Sequence, residues 1–249
     1  MPKFQDDATM EQHTIGGTAH FQFSAARIGD LGASEYTLGV VCVDISGSTA
    51  GFLREMEKAL QEVVKASCRN PRADNMMLRV VLFDSSIQEF HGFKPLPNCN
   101  ESDYSSVLRP GGTTALYDAV YEGVKSAITY GKALTSRDYS VNAAVFVITD
   151  GQDNASTVSA KMVKEALAEA TQSEALESMM SVLIGVGVSG GGLDQYLQDF
   201  QTNAGFQQYV GIGGADEKTL AKLGGFISQS MSSQSKALGS GGASKSLSF

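Results

Sequence analysis

The sequence predicts an α/β fold: a doubly wound, mostly parallel central sheet with one antiparallel edge strand and helices on both faces. Three observations predict it. Apolar runs with β-branched bias, such as Val40-Val41-Cys42-Val43 and Val141 to Thr149, suit strands buried on both faces, as central parallel strands are. Segments with apolar residues at helical spacing alternate with those runs. Two of the runs end in an acid and a turn, at Asp44 and Asp150. Ligand sites of open α/β sheets lie at such carboxyl ends of strands.

The elements follow in order. Residues 1 to about 17 are polar and close on Gly16 and Gly17, which predicts a poorly ordered start. Thr18 to Ala26 alternates around Phe21 and Phe23, the pattern of a short edge strand. After the strand that ends at Asp44, Phe52, Leu53, Met56, Leu60, Val63 and Val64 mark a helix, which Asn70-Pro71 stops. Met76 to Phe83 and Ile87 to Phe93, joined by Asp84-Ser85-Ser86, read as a hairpin at a sheet edge, and residues 94–109 read as irregular. Pro110-Gly111-Gly112-Thr113-Thr114 runs into a helix with Leu116, Ala119, Val120, Val124, Ala127 and Ile128 inward. Gly131 stands where a C-terminal cap is expected. Past Asp150 come a helix capped by Ser156 or Thr157, a strand from Met180 to Gly187, and a short helix through Leu193 to Phe200. A last strand, Phe206 to Ile212, precedes a helix capped by Asp216. From Ser228 the chain turns rich in Ser, Gly and Ala, the composition of a flexible tail. The expected organisation is an N-terminal extension over 1–35, one domain over 36–232 and a flexible tail over 233–249.

Composition narrows the functional classes. With 249 residues and 42% hydrophobic content the chain can bury a substantial core. A formal net charge of -8 disfavours a non-specific grip on nucleic acid or anionic membrane. No apolar run approaches the roughly 18 residues of a membrane span. The first residues carry no apolar stretch behind their charge, which argues against a secretory signal. The cysteines, Cys42, Cys68 and Cys99, are odd in number and far apart, as in a reduced cytoplasmic protein.

The chemistry concentrates after the opening strand. Asp44, Ser46 and Ser48 alternate, so a compact loop can turn one carboxylate and two hydroxyls toward one point. These are hard oxygen donors, suited to Mg²⁺ rather than to a soft metal. A polar turn with a helix cap is the plain alternative. Thr113, Thr114 and Asp150 stand where a strand or loop hands over to a helix, which puts them at the same sheet edge.

Asp44-Ile45-Ser46-Gly47-Ser48, then Gly111-Gly112-Thr113-Thr114-Ala115-Leu116-Tyr117-Asp118, then Ile148-Thr149-Asp150-Gly151 resembles a von Willebrand factor A-type (VWA) domain, with the three motifs in that family's order over about residues 36–232. The resemblance implies an intact metal-ion-dependent adhesion site (MIDAS) with Asp44, Ser46, Ser48, Thr114 and Asp150 as ligands; Thr113 leaves the register of the threonine open by one residue. It implies Mg²⁺, with Mn²⁺ or Ca²⁺ as substitutes. It also implies a protein partner whose Glu or Asp completes the metal's coordination, and no enzymatic activity. Solitary architecture looks like that of bacterial or phage cytoplasmic members, some of which act as adaptors in assembly or stress-response systems. An extracellular adhesion protein and a Mg²⁺-dependent hydrolase are the alternatives. Asp118 suits the dipole of its helix, Asp153 and Asn154 suit a turn, and Asp84 suits the hairpin.

Other motifs carry less. Gly185, Gly187 and Gly190 match a dinucleotide-binding pattern, but at about the fifth strand rather than the first, so a loose turn is expected. The histidines His13, His20 and His91 share no metal-ligand spacing, and Ser46 has no nucleophile elbow around it.

Overall fold

Val40, Val41, Cys42 and Val43 are all fully buried, and they lie in the middle of the sheet. The computed structural model describes residues 9–16, 21–172, 174–188, 190–241 and 247–249. Its strands are β1 (Met10–Ile15), β2 (Phe21–Ala26), β3 (Glu35–Asp44), β4 (Met76–Phe83), β5 (Ile87–Pro95), β6 (Ser140–Thr149), β7 (Met179–Val186) and β8 (Gln208–Ile212). They form one eight-stranded sheet in the order β1-β2-β5-β4-β3-β6-β7-β8. The pairs β3–β4, β3–β6, β6–β7, β7–β8 and β2–β5 are parallel, whereas β4–β5 and β1–β2 are antiparallel.

Alternation along β3 explains the layers. Leu38, Val40 and Cys42 face a core that includes α2 (Leu116–Thr135), α3 (Ala160–Gln172) and α4 (Gly192–Ala204). Val41 and Val43 face the opposite core, built with α1 (Leu53–Cys68) and α5 (Glu217–Ser240). Side chains one residue apart on a strand point to opposite faces, so an uninterrupted apolar run serves both layers. This is the doubly wound, mostly parallel architecture that the sequence predicts. Among the described residues no helix is long and apolar enough to cross a membrane.

Four expectations need correction. The polar start is not structureless: Met10–Ile15 pairs along its whole length with β2, Ile15 is fully buried, and His13 stacks on Phe23 at 5.2 Å. Thr18, Ala19 and His20 lie outside the described residues, and the edge strand expected there begins at Phe21. The β4–β5 hairpin is not the sheet edge, because β2 and β1 lie beyond it. Arg79 explains how they are held. Fully buried on β4, it makes a two-pronged ion pair to Glu122 at 2.6 and 2.8 Å and another to Glu89 at 2.9 Å. Glu89 accepts in turn from the hydroxyl of Ser24 on β2 at 2.6 Å. Gly131 does not end its helix, since α2 continues to Thr135. A Cβ at Gly131 would lie 2.9 Å from the Ala175 carbonyl oxygen, so the glycine serves a close approach of chain to helix.

The fourth correction concerns the tail. Helix α5 runs on to Ser240, with Ser228, Ser230, Ser232, Gln234, Ser235 and Leu238 buried. Small side chains that read as linker allow α5 to lie close on α1, where Ser67 donates to Ser228 at 3.0 Å and Asn70 to Ser232 at 2.8 Å. Asp216 caps this helix as expected, accepting from the Thr219 N–H at 3.1 Å.

Candidate metal centre

The site begins with strand register. Val43 on β3 pairs with Ile148 on β6, so the next residues, Asp44 and Thr149, emerge side by side at the carboxyl edge. The Thr149 hydroxyl donates to Asp44 Oδ2 at 2.6 Å, and the Ser46 N–H donates to Asp44 Oδ1 at 2.8 Å. The Ser46 and Ser48 hydroxyls lie 3.2 Å apart, and Ser48 Oγ donates to Asp150 Oδ1 at 2.7 Å. Asp44, Ser46, Ser48 and Asp150, predicted from two separate stretches of chain, are thus joined in one run of hydrogen bonds.

Neither serine caps a helix. The turn Gly47–Gly51 has no side-chain cap at Ser46, and α1 begins only at Leu53. The helix cap in the plain alternative for this loop therefore has no hydrogen bond in its favour.

The second loop is fastened to the first through backbone. The Gly111 N–H donates to the Ile45 carbonyl at 2.6 Å, and the Gly47 N–H to the Gly112 carbonyl at 3.0 Å. A side chain at position 111 is excluded by Asp84, whose Oδ2 would lie 1.9 Å from an added Cβ. Asp84 itself accepts from the Ser86 N–H at 2.9 Å, the hairpin-turn role expected of it. Of the two threonines, Thr113 is exposed and Thr114 is 4% exposed. Thr114 Oγ1 faces the third loop, 3.2 Å from where a Cβ on Gly151 would stand. Thr114 is therefore the threonine brought to the loop that carries Asp150.

Electrostatics at this edge are unbalanced. Burial raises the Asp44 carboxyl above the usual carboxylate range, against the hydrogen bonds from Thr149 and Ser46. Asp150 is raised by burial and then by the charge of Asp44, against the bond from Ser48. Among the described residues neither acid has a Lys or Arg partner. Two partly desolvated carboxylates without a counter-charge are disfavoured when ionised, and a cation between them reverses that. No group of three or more His, Cys, Asp or Glu side chains among the described residues could hold a metal. The donor set here is of another kind, two carboxylates and three hydroxyls. It fits a small hard divalent ion, which takes about six oxygens and commonly retains water.

Thr149 is the residue in contact with Asp44 that sequence reasoning missed. It reads as the β-branched end of an apolar strand, and only the pairing of β3 with β6 shows its hydroxyl on Asp44. Asp118 turns away from the site: its carboxylate accepts from the Thr157 and Val158 N–H groups at 3.0 and 2.8 Å. His91 bonds to Tyr104 at 2.6 Å and His13 packs on Phe23, so neither attends the site. Gly187 and Gly190 both take positive φ, 71° and 62°, a use for glycine in a turn.

The sequence matches no protein-family model and no curated protein. The fold has many relatives among solved structures. The PilB minor pilin from Streptococcus sanguinis superposes with a TM-score of 0.57 at 16% identity, over 87% of this chain and 66% of the pilin. Proximal thread matrix protein 1 from the mussel byssus, with a zinc-occupied MIDAS motif, gives 0.54 at 17% identity, over 78% of this chain and 48% of its own. The ArnB paralog VWA2 from Sulfolobus acidocaldarius gives 0.51 at 10% identity, over 89% and 54%. The chain thus spans from about half to just under two thirds of these neighbours. At such identities the likeness is one of fold, and that fold is VWA-like.

Proposed function

We propose that this chain is a protein-binding module whose ligand is completed by a metal: a divalent cation held by Asp44, Ser46, Ser48, Thr114 and Asp150 accepts a Glu or Asp from a partner protein. One observation carries the reading. Two carboxylates without a Lys or Arg partner among the described residues and a set of hydroxyls converge at the carboxyl edge of the sheet. The charge of the two acids only balances a divalent ion. Hydroxyls are weak donors and leave it electrophilic, so a carboxylate from outside is the natural further ligand. When bound, the ion supplies that attraction. The residues of this chain supply its position and its hydrogen-bonded surroundings.

Mg²⁺ is the cation we assign, with Mn²⁺ or Ca²⁺ as substitutes; the zinc in the mussel protein makes zinc a necessary control. We read the chain as a cytoplasmic adaptor of a bacterial or phage system, supported by its free cysteines Cys42, Cys68 and Cys99. Neither nucleic acid nor membrane is its ligand in this reading, and it is not an enzyme. A surface adhesion role is the second reading, favoured by neighbours that are a pilin and a byssus protein. Cell fractionation separates the two.

The test has two stages. Calorimetric titration with each metal should show binding to the wild-type chain and none to Asp44→Ala. Affinity capture should then recover a partner in Mg²⁺ that is lost both in EDTA and with Asp44→Ala. The same partners under all three conditions would overturn metal-mediated binding. A phosphatase or nucleotide-hydrolysis activity that needs both Mg²⁺ and Asp44 would establish the hydrolase instead.

A further inference from the structure

We propose that the turn Asp153–Ser156 is a brace that positions the metal ligands, with Asn154 as its principal positioning residue. The inference rests on the metal reading above and extends it to residues that touch no metal.

Helix α2 begins just after Thr114, and its own N-cap position, Ala115, offers no side-chain acceptor. The first N–H groups of a helix have no partner within it. Here the acceptors come from about forty residues away. Asp153 Oδ1 accepts from the Tyr117 N–H at 3.2 Å and Ser156 Oγ from the Asp118 N–H at 3.0 Å, and just ahead of the helix Asn154 Oδ1 accepts from the Thr114 N–H at 2.7 Å. The fastening is reciprocal. The Thr114 carbonyl accepts from the N–H groups of Asn154 and Ala155, at 3.0 and 3.2 Å. Asp118, 7% exposed, accepts from the Thr157 and Val158 N–H groups that lead into α3. Tyr196 closes the far side, its hydroxyl accepting from the Asp153 N–H at 3.3 Å and lying 2.9 Å from the hydroxyl of Tyr117.

Both backbone groups of Thr114 are therefore tied to Asn154, four residues after Asp150. The second and third loops cannot move independently, so the Thr114 hydroxyl and the Asp150 carboxylate keep their relative placement. A small ion with strict octahedral demands rewards that constraint. Outer partners of metal ligands typically govern affinity by about ten- to a hundredfold.

The experiment is calorimetric titration of the full chain with Mg²⁺ and with Mn²⁺ alone, with thermal unfolding measured beside it. Asn154→Ala should bind about tenfold more weakly. Asn154→Asp keeps an acceptor for the Thr114 N–H, and Asp caps as well as Asn, so it should restore affinity to within about threefold. Asp216→Ala is the control: it removes a side-chain acceptor of a backbone N–H from the start of α5, away from the site, and should lower the melting temperature without changing metal affinity. Wild-type affinity in Asn154→Ala overturns the brace, as does an equal loss in Asp216→Ala. If Asn154→Ala does not fold, Ser156→Ala replaces it: weaker metal binding supports the brace and unchanged binding overturns it. A wild-type chain that binds neither ion overturns the metal reading itself, and this one with it.

Discussion

His91 stands on β5 with both ring nitrogens bonded, Nδ1 to the Gly92 carbonyl at 2.8 Å and Nε2 to the Tyr104 hydroxyl at 2.6 Å. A carbonyl only accepts, so Nδ1 carries the proton and Nε2 accepts from Tyr104. Burial lowers the imidazole pKa from 6.5 to about 4; the Gly92 bond and Asp103 oppose this, while Lys94 and Arg79 assist it. The sign follows from linkage. Between those values the unfolded chain binds the proton and the folded chain does not. The stability tied to His91 is then complete above about pH 6.5 and is lost as pH falls toward about 4. Its size is about 1–3 kcal/mol. Urea unfolding at about pH 7 and about pH 4.5 checks it: wild type should lose more stability than His91→Gln, and equal losses would sink the idea. Asp44 is the opposite case, raised by burial. The residues proposed as metal ligands could be picked out in the sequence because each sits in a short contiguous motif. Thr149, Asn154 and Asp118 could not, because their partners come from other strands and helices and no local spacing records them.

Helix α5 shows how one residue type can carry opposite meanings within an element. Gly224 and Gly225 are neighbours in it. A Cβ at Gly224 would lie 2.6 Å from the Ala59 carbonyl oxygen and 3.0 Å from Glu62 Cβ, both on α1. At Gly225 nothing lies within 4 Å. Alanine in a helix is favoured over glycine by about 1 kcal/mol, and backbone cannot move aside as a flexible side chain can. Gly225→Ala should therefore stabilise by about 0.5–1 kcal/mol. Gly224→Ala should destabilise by roughly 1–3 kcal/mol, as an overpacked contact does. Denaturant midpoints of the two variants decide it, and a shared sign would remove the close α1–α5 contact as an explanation. The same contact accounts for the tail that looked like linker. Serine, glycine and alanine are as fit for a tight helix seam as for a flexible chain, and composition alone does not distinguish them. The strands β3, β6 and β7 were legible because their apolar runs are long enough to admit one reading.

The whole molecule is larger than the stretch whose motifs resemble a family. Residues 36–232 hold the candidate site, yet the core extends past both ends. On one side Ile15, Phe23 and Ala25 belong to the same buried cluster as Val40, Phe93 and Tyr130, and Ser24 completes the Arg79–Glu89 pair. On the other, Gln234, Ser235 and Leu238 are buried, and Arg72 reaches Ser235 at 2.8 Å. Each large apolar side chain taken from water contributes about 1.5–3 kcal/mol, and a domain has only about 5–15 kcal/mol in all. Without β2, moreover, water enters around Arg79, Glu89 and Glu122, an ion cluster whose strength depends on its enclosure. A fragment of residues 36–232 is therefore expected to be unfolded or to aggregate, whereas the full chain unfolds in one cooperative transition. Urea unfolding followed by circular dichroism compares them. A fragment with the full chain's midpoint would mean that β1, β2 and the last turns of α5 are accessories rather than core. A fragment that folds only when a peptide of residues 1–35 is supplied would identify the β1–β2 hairpin as the missing part of the sheet.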